Sequence, residues 1–255
     1  MSPDAFSNDA LYDRLGLPEA SLLDKRIFKR MVLEHGQLTM ADKKTLSEDV
    51  TKLTWKYTLK AGTVQVLPYE DADREYLEVA VVEAVLSGRS RAPRIIEMIQ
   101  RAIPYPVLLV MVEGGAFCVS VAHKRFSRAE KGSIVAEDFL SSPWIEQSLS
   151  DVDEAFCEAL ALQNLSWVDF YALYRSMVTA VLARACAELT GRFVLEVGQP
   201  EAHRKRRLEQ CHELEGDISS LRVAIRKGDI FAEQVELNTR IKELEARLAR
   251  TKADL

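Results

Sequence analysis

The segment from Arg74 to Lys124 constrains the fold more than any other. It opens with "REYLEVAVVEAVL" (74–86), rich in β-branched residues and closed by Ser87 and Gly88, which reads as a strand. Pro93 then stands in the first turn of an amphipathic helix, with Ile95, Ile96 and Ile99 inward and Arg94 and Arg101 outward, stopping at Pro104. "YPVLLVMVEGGAFCVSVAHK" (105–124) follows as a hairpin, because Gly114-Gly115 can adopt the positive φ values that a two-residue turn demands. Upstream, "TKLTWKYTLK" (51–60) alternates, and Leu53, Trp55, Tyr57 and Leu59 are expected on one face of a half-buried strand. The order strand, strand, helix, strand, strand predicts an α+β domain on an antiparallel sheet of about four to five strands, with the sheet over 51–136.

The flanks read as helices. A short helix breaks at Gly16 and Pro18, "SLLDKRIFKRMVLEH" (21–35) has apolar residues at helical spacing, and Thr39 with Asp42 predicts a cap for a helix over 40–50. Ser150 with Asp153, and Ser166 with Asp169, predict two further caps. The second of these helices carries Phe170, Leu173, Met177, Val181 and Ala185 inward before Gly191 ends it, and the helices over 150–190 are expected to cover the sheet. From residue 201 the pattern is the most regular in the chain. Cys211, Leu214, Ile218, Leu221 and Ile225 recur at three-four spacing, and Leu237, Ile241, Leu244 and Leu248 do so beyond "RKGD". This predicts an antiparallel, coiled-coil-like helical hairpin turned at Gly228, each arm ~35 Å long at 1.5 Å per residue. The division expected is an α+β domain over 1–198 and the hairpin over 199–255.

Composition excludes little but narrows the setting. With 255 residues and a net charge of −5, the chain cannot coat nucleic acid by bulk attraction, so any such binding needs a local basic patch. Cys118, Cys157, Cys186 and Cys211 are too widely spaced for a zinc module or a disulfide framework, and are read as buried thiols of a cytoplasmic protein. Asp4 and Asp9 near the start read against a secretory signal, and the apolar run Val107 to Val112 is far below the ~20 residues of a membrane helix, so no membrane association and no cofactor are expected.

Two basic groups are the candidate contacts. By the two-residue period of a strand, His123 lies with Phe117, Val119 and Val121 and is read as a structural imidazole, whereas Lys124, Arg125, Arg128 and Lys131 cluster around Phe126 and are expected to point away from the core. Cations flanking an aromatic can hold phosphates while a base stacks. The second group, Arg204, Lys205, Arg206 and Arg207, opposes the dipole at the start of the helical arm, so local helix stability does not explain it. Phosphate-loop, dinucleotide and nucleophile-elbow motifs are missing, and catalytic residues stay unassigned. Asp71, Asp73 and Glu78 of "PYEDADREYLEV" are the carboxylates a metal-dependent nuclease would use, although their spacing brings no partner set together.

Several of these segments resemble an uncharacterised bacterial family, domain of unknown function 4391. The resemblance rests on "LYDRLGLP" (11–18), "DKRIFK" (24–29), "ADKK" (41–44), "TWKYTLK" (54–60), "PYEDADREYLEV" (68–79), "IPYP" (103–106), "AHKR" (122–125) and "QVELN" (234–238). Genes of that family tend to lie beside helicases and DNA methyltransferases in restriction or phage-defence islands, so the resemblance implies an accessory role there and carries no catalytic residue. The leading expectation is thus a non-catalytic accessory subunit that binds a helicase- or DNA methyltransferase-type partner, or DNA or RNA, through the two basic groups. A metal-dependent nuclease or nucleotide-processing enzyme is the alternative, and a homodimeric scaffold joined through the helical arm is a third.

Overall fold

A computed structural model describes residues 8–35, 38–130, 132–195, 200–227 and 231–255. The chain divides into two compact units, Met1–Arg184 and Ala185–Leu255. In order, the first contains α1 (Asn8–Leu15), β1 (Leu22–Arg26), α2 (Lys29–His35), α3 (Met40–Asp49), β2 (Val50–Lys60), a small ribbon of β3 (Tyr69–Glu70) and β4 (Glu75–Tyr76), and β5 (Glu78–Leu86). It continues with α4 (Ala92–Ala102), β6 (Val107–Glu113), β7 (Ala116–Phe126), β8 (Ile134–Ser141), α5 (Asp151–Leu160) and most of α6 (Phe170–Thr190); α7 (Glu201–Lys227) and α8 (Phe231–Ala253) complete the chain.

The α+β reading holds, on a sheet of six strands in the order β1-β2-β5-β6-β7-β8. All neighbours are antiparallel except β5 and β6, which α4 joins as a crossover and which run parallel. That crossover lays α4 across one face, where Ile95, Ile96 and Ile99 pack on Leu53, Val82, Ala84, Leu109, Met111 and Cys118. Residues of opposite phase, such as Val81, Leu108, Val110 and Val119, are equally buried. Both faces of the sheet are therefore core, which is what the unbroken apolar run Val107 to Val112 encodes.

Several expectations change in detail. Residues 22–26 form an edge strand rather than a helix, paired to β2, and the helix begins only at Lys29. The backbone between Leu22 and Lys25 is bulged, with Asp24 in the left-handed region at φ 43°. Leu53, Trp55, Tyr57 and Leu59 do not share a face, because a bulge between Trp55 and Tyr57 shifts the phase. Leu53 and Trp55 join the α4 side, while Tyr57 meets Tyr12 of α1, ring centroids 5.6 Å apart, on the other. The predicted caps Thr39–Asp42 and Ser150–Asp153 form reciprocal capping boxes. At α6 the cap is instead Asp169, whose carboxylate accepts from the Ala172 amide at 2.7 Å.

In the second unit α7 and α8 pack as the expected hairpin, around Leu214, Ile218, Ile241 and Leu244 with Leu221, Ile225 and Leu248 beside them. The turn expected at Gly228 lies outside the described residues.

Candidate functional site

The acidic segment "PYEDADREYLEV" and the basic end of β7 are neighbours in space. Phe126 donates its amide to the Asp73 carbonyl at 2.7 Å, which ties the β3–β4 ribbon to the rim of the sheet. Tyr76, fully buried, accepts the Lys124 amide at 3.0 Å, and its hydroxyl lies 2.9 Å from His123 Nδ1. Around that imidazole stand Tyr76, Tyr171 and Tyr174, with ring centroids 5.7–6.3 Å from it. Tyr174 is itself an anchor, since its hydroxyl accepts from the Ala122 amide and donates to the Val107 carbonyl where β6 and β7 diverge. Burial pushes both Tyr76 and Tyr174 well above the ordinary phenol range, so neither ionises. His123 is in this sense a structural imidazole, locked between a phenol and two further rings.

Consecutive residues of a strand face opposite ways, so His123 toward α6 sends Lys124 under α4. Lys124 is 2 % exposed and donates from Nζ to the Gln100 carbonyl in the last turn of α4. This overturns the expectation that Lys124 points away from the core. The reason is the α4 crossover, which turns a supposedly solvated face into an interior one. Lys124 makes no ion pair among the described residues, and desolvation lowers its pKa to about 7.

The other predicted cations are also largely spoken for. Arg125 pairs with Glu137 at 2.5 Å and donates to the Phe126 carbonyl. Arg128 has 83 % of its side chain exposed and makes a long ion pair with Asp73 at 3.9 Å. Lys131 lies outside the described residues. In the second group, Arg204 is 4 % exposed and donates to the Val194 carbonyl at 2.6 Å, which corrects its reading as a surface contact. Lys205 faces Glu209, Arg207 faces Asp254, and Arg206 remains exposed. The cations at the start of α7 are thus placed mainly by partners within their own unit.

The carboxylates proposed for metal chemistry do not converge. Asp71 closes an Asx-type turn, accepting from the Asp73 and Arg74 amides at 2.8 Å and from the Tyr69 hydroxyl, which holds it below the usual carboxylate range. Glu78 is desolvated and raised instead. Among the described residues no group of three or more His, Cys, Asp or Glu is arranged to hold a metal ion.

What the fold does assemble is an aromatic and apolar patch. Tyr69 stacks on Tyr171 at 4.9 Å, and the Arg74 guanidinium sits 5.0 Å over Tyr171 while donating to its hydroxyl. Two residues away in each chain segment, Leu67 bridges to Asp169 and accepts the Phe170 amide at 2.9 Å. Leu67 and, one residue before its bridge partner, Val168 are 69 % and 68 % exposed, with Trp167 also open to solvent. None of these five apolar and aromatic residues was singled out in the sequence. Tyr171 stands in the first turn of α6, and the other four lie in the short stretches "VLPYE" and "NLSWVDF", which have no periodicity; bulky apolar residues between turn-forming neighbours were the available signal.

A mixed six-stranded sheet covered on both faces, followed by a paired-helix second unit, defines an α+β protein. The chain belongs to the family described as Domain of unknown function (DUF4391), whose family model matches residues 15–248. No curated protein and no solved structure gives a significant match. Among the described residues no helix is long and apolar enough to cross a membrane.

Proposed function

We propose that the protein is a cytoplasmic, non-catalytic accessory subunit of a restriction or phage-defence system that docks a helicase- or DNA methyltransferase-type partner through the Leu67–Val168 patch. The observation that carries this reading is the exposure of Leu67 and Val168 at the bridge between Leu67 and Asp169, two residues along the chain from the stacked Tyr69 and Tyr171. Apolar and aromatic groups gathered on a surface, rimmed by Arg74 and Arg128, have the composition of a protein interface core with a charged margin. A protein partner is favoured over nucleic acid because most of the predicted cations are buried or already paired, and backbone recognition of DNA or RNA needs several free ones. Arg74 and Arg128 suit a partner face bearing carboxylates.

The test is co-purification of the full chain with the products of the genes that flank its own. Leu67→Asp combined with Val168→Asp places two charges in the patch and is expected to abolish recovery of the partner. Both positions are exposed, so the melting temperature should shift little. Undiminished recovery by that double variant overturns the reading, and DNA retention by the chain alone in a gel shift redirects it to nucleic acid.

A further inference from the structure

A cleft of about 430 Å³ opens beside the last turn of α4, in the first unit and away from the residues of the docking patch. Its wall is apolar: Ile27, Val32, Trp55, Ile103, Tyr105 and Ile134. Trp55 and Tyr105 meet edge to face, ring centroids 6.0 Å apart, and form a stiff aromatic corner. The Trp55 indole is held in place by its N–H, which donates to Thr58 Oγ1 at 2.8 Å. Among the described residues, Arg101 is the one charged residue in the lining. Its guanidinium lies 5.6 Å from the Phe139 ring and reaches Glu97 at 2.7 Å, yet 58 % of the side chain stays exposed. Glu97 is shared with Arg94, so it does not neutralise Arg101 alone.

An apolar hollow of this volume matches the size and lining of small-molecule sites, in which a few polar groups fix orientation. The lining excludes a small inorganic anion, which would find one guanidinium and nine or so carbon-rich neighbours. It also disfavours a neutral hydrocarbon, since that would leave the Arg101 guanidinium unused. We infer that the cleft binds a small molecule with a flat apolar ring system and a single acidic group, the ring against Trp55 and Tyr105 and the acid on Arg101. This site is independent of the docking patch.

Isothermal calorimetry of the full chain with naphthalene-2-carboxylate and with its neutral methyl ester tests the inference. The carboxylate should bind saturably, one per chain, and the ester about tenfold more weakly, the factor a charge-assisted hydrogen bond supplies. Arg101→Gln should bring the carboxylate down to the ester's affinity and leave the ester unchanged. Met31→Trp, at a half-exposed position of the wall, should fill the cleft and remove both. A circular-dichroism melt checks that each variant is folded; were Met31→Trp unfolded, the two ligands on the parent chain and on Arg101→Gln still decide. Absence of saturable binding, equal affinity for acid and ester on the parent chain, or full binding by a folded Met31→Trp overturns the inference. The Leu67→Asp, Val168→Asp variant should bind the carboxylate as the parent does, which separates this site from the docking reading.

Discussion

At the scale of single residues the most consequential placement is Lys124. The flexible lysine stem would ordinarily carry its ammonium to water, but the crossover helix closes that route and leaves one carbonyl, that of Gln100, as its acceptor. Desolvation is the dominant cause of its lowered pKa, from 10.5 to about 7. The unfolded chain holds that proton up to 10.5 and the folded chain releases it near 7, so between those values the unfolded state binds more protons and stability rises with pH. Lys124→Met, which keeps the stem and removes the charge, should be more stable than the parent below pH 7 by up to about 5 kcal/mol. The advantage should shrink steadily from pH 7 to 10.5; denaturant unfolding at three pH values measures it, and a constant difference would contradict the assignment. The sequence hid this residue because a strand's period tells which side chains share a face and is silent on whether that face is covered.

Among the elements, those defined by chemistry local to the chain were legible. The helix from Ala92, the hairpin at Gly114-Gly115 and the capping boxes at Thr39 and Ser150 follow from a proline, two glycines and two hydroxyl–carboxylate pairs, each acting within four residues. Elements whose form depends on a distant partner were not. β1 carries helical spacing but pairs with β2, and β2 changes phase at a bulge that no residue type announces. The exposed patch around Leu67 was invisible for the same reason, since it exists only because Leu67 and Asp169 meet across a long stretch of chain. At the hairpin, Gly115 has φ 88°, and a Cβ there would stand 2.0 Å from Gln147 Nε2. Gly115→Ala should therefore cost about 1–2 kcal/mol. Gly114→Asn, at φ 60° with open space around it, should cost no more than a few tenths of that, because Asn tolerates the left-handed region. Thermal unfolding of the two variants checks the contrast, and equal losses would show that the turn is not set by backbone conformation.

On the scale of the whole molecule, the two units share one property that chemistry can read. All four cysteines are free and buried, two in each unit. Burial raises their thiols, Cys118 to about 11 and Cys157 to about 12, so thiolate is scarce at neutral pH. A disulfide reagent should find fewer than about one reactive thiol per native chain and four after denaturation. Rapid native labelling would reveal an opening of one unit at low cost, and the site labelled would say which.

The kink that Asp24 puts into the outermost strand has a further consequence. A row of unsatisfied amides and carbonyls at the rim of a sheet invites another chain to zip onto it, and Leu22 and Leu23 would reward such growth. A left-handed residue in the middle of the row breaks its repeat, so a second copy can match the rim on one side of the kink but not on both. The chain thereby keeps an apolar border open to solvent without offering a template for fibres.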